Sequence, residues 1–139
     1  MLQLSVFIEN KPGGLKKLTS CLRQGGISLR AITIAETPDF GVARLIVDDV
    51  QKATEVLHRN DMVCSQTEVI AVEIKDTPGG LDGVLQVLEN ANLSLDYLYS
   101  FLEQHLNKAL MVFRFKDEEN EKATAVLTGA GFEIFKGKL

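Results

Sequence analysis

Apolar and polar residues alternate at the start of the chain. Leu4, Val6 and Ile8 are separated by Ser5, Phe7 and Glu9, the period-two pattern of a strand with one buried face. After a Pro-Gly-Gly turn, Leu15, Leu18 and Leu22 recur at helical spacing, and Gly25-Gly26 ends that helix just past its last turn. An extended pair follows at 28–35 and 42–47, turned by Thr-Pro-Asp-Phe-Gly at 37–41, where proline and glycine supply the geometry. Ala53, Val56 and Leu57 mark one side of a second helix, and 63–67 read as a short closing strand. The order is strand, helix, strand, strand, helix, strand.

The pattern then repeats. Lys11-Pro12-Gly13-Gly14-Leu15 returns as Thr77-Pro78-Gly79-Gly80-Leu81, an offset of 66. The same offset carries Leu4, Val6 and Ile8 onto Ile70, Val72 and Ile74, and Ile27-Ser28-Leu29 onto Leu93-Ser94-Leu95. Lys52-Ala53-Thr54 matches Lys122-Ala123-Thr124 at an offset of 70, so four residues enter the second copy between Leu95 and Lys122. Loop insertions of that size cost little closure entropy. The second extended pair is expected at 95–102 and 109–115, joined through 103–108. Glu118, Glu119 and Glu121 suit the start of its second helix, and 132–135 its closing strand. The expected fold is α+β, with two tandem ferredoxin-like βαββαβ modules at 1–67 and 68–139. Each is an antiparallel sheet with both helices on one face.

A module of that size lies near the lower limit for a self-sufficient core, so the two are expected to pair side by side. The uncovered sheet face is expected to carry Phe7, Tyr97, Tyr99 and Phe101. The chain is 139 residues long, 45% hydrophobic and 24% charged, which argues against disorder. Its net charge of -4 opposes a duplex-binding role, and no basic-aromatic run suggests RNA. Cys21 and Cys64 are 43 residues apart and form no metal-ligand spacing with His58 or His105. They read as small apolar residues of a reduced protein. Polar residues interrupt every apolar run before it can span a bilayer, and the start has no signal-peptide pattern. A cytoplasmic protein without metal, cofactor or membrane partner is expected.

Asn10-Lys11-Pro12-Gly13-Gly14-Leu15 and Asp76-Thr77-Pro78-Gly79-Gly80-Leu81 fit N-x-P-G-x-L between first strand and first helix, with Asp76 departing from the pattern. A duplicated module with this turn resembles the ACT domain family of small-molecule-binding regulatory domains. The resemblance covers nearly the whole chain, and is to tandem ACT proteins with no catalytic domain attached. It implies that ligands lie where a first loop meets the second strand of the neighbouring module. Asn10, Lys11, Pro12, Gly13, Gly14 and Leu15 would then face Leu95 and Tyr97. Asp76, Thr77, Pro78, Gly79, Gly80 and Leu81 would face Leu29 and Ala31.

Physical chemistry supports binding at such a turn. Glycines let a ligand approach the main chain, and the first N–H groups of a helix favour an anion such as an α-carboxylate. Asn10 or Asp76 can receive an α-ammonium group, and Lys11 can assist the carboxylate or point into water. Each feature also has an ordinary role: Pro-Gly-Gly turns a strand into a helix, Asn and Asp cap loops, and tyrosines pack sheets. The loop is no P-loop, and no nucleophile, base and acid converge, so an enzyme is not expected. The expected function is a free-amino-acid-binding regulator acting on an enzyme partner in trans, as an internal pair or a homodimer. The alternative is a ligand-free assembly module. Valine at Gly14 or Gly80 is expected to obstruct a ligand while leaving the protein folded.

Overall fold

A computed structural model describes residues 1–105 and 107–137, with backbone alone for 103–105. The chain divides into two compact units, Leu2–Thr67 and Glu68–Gly137. The first contains β1 (Leu2–Glu9), α1 (Gly14–Gln24), β2 (Leu29–Glu36), β3 (Phe40–Val47), α2 (Val50–Arg59) and β4 (Cys64–Glu68). Its strand order is β4-β1-β3-β2, with β3 antiparallel to both β1 and β2.

Alternation in β1 does what its sequence pattern requires. Leu4, Val6 and Ile8 enter the core with Leu18, Cys21 and Leu22 of α1 and Leu57 of α2. Phe7 stays half exposed on the opposite, helix-free face. The Asp49 side chain caps α2 by accepting from Lys52 N–H at 3.0 Å. Thr37 closes the β2–β3 turn, its N–H donating to the Phe40 carbonyl at 2.8 Å. Both cysteines are free, and burial pushes the Cys64 thiol up from its ordinary value.

The second unit contains β5 (Ile70–Lys75), α3 (Gly80–Asn90), β6 (Tyr97–His105), β7 (Lys108–Arg114), a 3-10 turn (Asp117–Glu119), α4 (Asn120–Gly129) and β8 (Glu133–Ile134). Its order, β8-β5-β7-β6, reproduces that of the first unit, again with the central pairs antiparallel. Ile70, Val72 and Ile74 pack with Val84, Leu88, Phe113, Phe115 and Leu127. Tyr97, Tyr99 and Phe101 lie on the face away from these helices. Tyr97 stacks on Tyr99 with ring centroids 6.3 Å apart, and Phe101 meets Phe135 at 6.5 Å.

The inserted residues are handled differently from the expected linker at 103–108. Pairing continues to His105↔Lys108, and the register shifts between Ser100 and Gln104. A bulge thus absorbs part of the insertion inside the ladder, and Asn107 adopts φ 59° at the tip. Asparagine tolerates that left-handed conformation better than most residues. Leu106, the His105 side chain, Lys138 and Leu139, which the expected second module includes, lie outside the described residues.

Candidate functional site

Each Pro-Gly-Gly loop joins its first strand to its first helix under two backbone constraints. Gly13 and Gly79 occupy the N-cap positions with φ of 87° and 86°, a left-handed conformation that costs other residues steric strain. Gly14 and Gly80 lie against the preceding strand: a Cβ would fall 2.2 Å from the Glu9 carbonyl oxygen and 2.0 Å from that of Lys75. Both contacts are with backbone, which cannot turn aside as a flexible side chain can. The expectation that valine at Gly14 or Gly80 would only crowd a ligand is therefore corrected. Any side chain there forces the loop away from its strand.

A glycine cap has no side chain to accept hydrogen bonds from the helix start. The N–H of Gly14 bonds to the Lys11 carbonyl at 3.1 Å, and that of Gly80 to the Thr77 carbonyl at 3.0 Å. The following N–H groups, of Leu15 and Lys16 and of Leu81 and Asp82, meet no acceptor among the described residues. Two adjacent open donors at a positive helix end can hold one carboxylate. The helices differ in charge there: α1 has no acid in its first turn, whereas α3 has Asp82.

Beside each loop lies a cleft within its own unit. The first, about 360 Å³, runs from Phe7, Pro12 and Gly13 to Met62 and Val63 after α2. The second, about 440 Å³, runs from Glu73, Pro78 and Gly79 to Phe132 and Glu133 after α4. Both volumes lie within the ~300–1,000 Å³ usual for small-molecule sites. The strand–turn positions after α2 and α4 were missed from sequence. Their signal was available, since Asp61, Met62 and Val63 match Gly131, Phe132 and Glu133 at the offset of the second-helix block.

Individual expected residues fare differently. The Asn10 side-chain amide donates to the Thr37 carbonyl at 3.5 Å, reaching the β2–β3 turn instead of capping its own loop. The backbone N–H of Asp76 donates to the Asn107 carbonyl at 2.9 Å, and its side chain is exposed. Leu29 packs on the first core, and Ala31 is fully buried on the opposite face of β2. Leu95 packs on the second core, and Tyr97 opens β6. Leu29 and Leu95 line a different cleft of their own units, between the end of the first helix and the second strand.

Lys11 neither points freely into water nor stands ready for a carboxylate alone. Its Nζ lies 2.5 Å from Glu9 Oε2. The hydrogen bond and charge of Lys11 hold the Glu9 carboxyl below its ordinary value, and Glu9 raises the Lys11 ammonium in return. The Glu9 contribution is thus present above the usual carboxylate range and lost as pH falls through its lowered value. That of Lys11 is present below the usual lysine range and lost as pH rises through its raised value. Both groups are exposed and screened by water, so titration reports the pair better than stability does. An NMR titration is expected to place the Glu9 midpoint below the ordinary glutamate value, with Lys11→Met returning it there. An unshifted midpoint in the parent protein would remove the pair from solution. In the second unit Lys108 pairs with Glu73 instead, and Glu73 raises its ammonium by hydrogen bond and charge.

No group of three or more metal-binding side chains occurs among the described residues. No helix among them is long and apolar enough to cross a membrane. Residues 1–135 match the family described as the ACT domain pair. Protein BT0572 from Bacteroides thetaiotaomicron is similar in structure, with TM-score 0.88 and 34% identity over 96% of this chain and 90% of that one. The ligand-free regulatory subunit of aspartate kinase from Thermus thermophilus gives 0.67 at 18% identity, covering 93% and 91%. Its counterpart from Thermus flavus gives 0.63 at 17%, covering 94% and 92%. At such identities the two subunits share the fold alone. No curated protein matches the chain. The repeated strand order, the doubled loop and the family match over 1–135 agree: the chain belongs to the ACT domain pair family.

Proposed function

We propose that this ACT pair is a sensor of free amino acids, with modules at 1–67 and 68–139, that regulates an enzyme in trans and has no catalytic activity of its own. The observation that carries the reading is the doubled helix start, where Gly14 and Gly80 line clefts of small-molecule size and the next two N–H groups along the chain have no acceptor among the described residues. An α-carboxylate takes the donors. The α-ammonium group meets the carboxylate-bearing rim, which includes Glu9 in the first cleft and Glu73 in the second. Ligand binding shifts the partner's activity only as far as it favours one arrangement of the sensor over another. The regulatory subunits of aspartate kinase have the same fold and lend support by analogy. A cytoplasmic setting fits both free thiols and a free-metabolite ligand.

A thermal-shift screen against the common amino acids is the direct test. At ~100 times its dissociation constant, a ligand adds roughly 2.7 kcal/mol, enough to raise the melting temperature of a small domain by several degrees. At least one amino acid should produce such a rise. The second reading, a ligand-free assembly module, is favoured by the exposed aromatic pair Phe7 and Phe40, with ring centroids 5.8 Å apart. A flat response to all amino acids at millimolar concentration would favour assembly.

A further inference from the structure

Two glycines of the second module stand where the first module has side chains. Gly83 of α3 matches Lys17 of α1 at the offset of 66, and Gly131 matches Asp61 at the offset of 70. Each of the four lines its own unit's loop cleft. No backbone requirement explains either glycine. Gly83 lies inside α3, where only proline is less favourable than glycine, and beyond its own helix a Cβ built on it meets no atom within 4 Å. Gly131 has φ 89°, and its N–H donates to the Thr128 carbonyl at 3.0 Å. Asp61 makes the same bend with φ 57° and a matching bond to the His58 carbonyl at 3.1 Å, so the bend accepts a side chain. A Cβ on Gly131 also meets open space. These two differ in this from Gly14 and Gly80, whose preceding strands press on them.

What the two glycines change is room. Charge does not separate the clefts, since two carboxylates and two lysines line each. The second is the larger, about 440 Å³ against about 360 Å³. Resting on the sensor reading above, we infer that Gly83 and Gly131 set the size of the ligand: the second cleft takes a free amino acid with a bulky, ring-bearing side chain, and Lys17 and Asp61 leave the first to smaller ones. Bare main chain lets a flat ring come close, where a Cβ would hold it off. An aromatic side chain can remove roughly 150–250 Å² from water, the largest gain an amino-acid side chain offers. Pro78 and Phe132 line the same cleft and give such a ring apolar surface to meet.

Isothermal titration of the full chain with phenylalanine and tryptophan tests the assignment. One of them is expected to fill one site per chain. Gly83→Lys, which copies the first module, should weaken that binding at least tenfold. Its urea midpoint should hold or rise, because lysine is the better helix former, so lost binding is not lost fold. In the opposite direction, Lys17→Ala combined with Asp61→Gly should raise the count of bound aromatic amino acid from one per chain to two. The parent stoichiometry needs no variant, so it stands whether or not the variants fold. Two aromatic ligands per parent chain, or unchanged aromatic binding in folded Gly83→Lys, would overturn the inference and leave the sensor reading intact. A count still at one in the folded Lys17→Ala, Asp61→Gly protein would overturn it as well. Failure of both aromatic amino acids to bind would overturn the inference, and together with a flat thermal-shift screen it would overturn both.

Discussion

Replacing Phe113 with alanine is expected to remove about 3–5 kcal/mol from the second module, the usual cost of deleting a buried aromatic ring. Phe113 is fully buried and sits at the centre of its sheet, opposite Ile70 on β5 and beside Leu98 on β6. A module of this size has roughly 0.05–0.15 kcal/mol of stability per residue, so the loss takes much of what it has. The chain has a built-in reporter for the experiment. Both of its tyrosines, Tyr97 and Tyr99, belong to β6, and it has no tryptophan. Tyrosine emission during urea unfolding therefore follows the second module, while circular dichroism follows both. The variant should unfold at much lower urea by tyrosine emission. An unchanged midpoint would mean that Phe113 is not the packing centre described here.

Gly80→Ala is expected to cost roughly 1–3 kcal/mol, the range for overpacking, and to abolish any ligand response of the second loop. The added methyl would collide with the Lys75 carbonyl oxygen at 2.0 Å, a contact relieved only by moving backbone. Moving it swings the open N–H groups of Leu81 and Asp82 out of line. Gly79→Ala is the informative control, because no atom lies within 4 Å of the added carbon and only the φ of 86° resists it. It should cost about 1–2 kcal/mol through left-handed strain and leave the loop in place. Urea midpoints and calorimetric binding on the two variants separate these effects. A Gly80→Ala protein as stable and responsive as its parent would refute the close approach.

Much of the fold was legible because its signals are local and doubled. Leu4, Val6 and Ile8 announce a strand by alternation, and their matches at 70, 72 and 74 make chance an unattractive explanation. Strand ends were less legible. Pairing to His105 depends on a bulge after Ser100 and on Asn107 accepting a left-handed turn, and neither leaves a hydrophobic period to read. The loops were legible as turns, but the reason for each glycine was not. Gly13 and Gly79 answer to φ, whereas Gly14 and Gly80 answer to a carbonyl five residues earlier, a distance that only coordinates supply. Ionic partners were harder still. Lys11 with Glu9 is near in sequence, but Lys108 reaches Glu73 from another strand.

The glycine loops have a consequence for which positions of such a protein are free to vary. On the sensor reading their grip would be main chain, the same for every amino acid, and a side chain at Gly14 or Gly80 would displace the bend. The adjacent strand positions are under no such restriction: Phe7 and Val63 in one copy, Glu73 and Glu133 in the other, occupy one backbone framework. Exchanges at such partly exposed positions can accumulate while the bend and the core keep their settings.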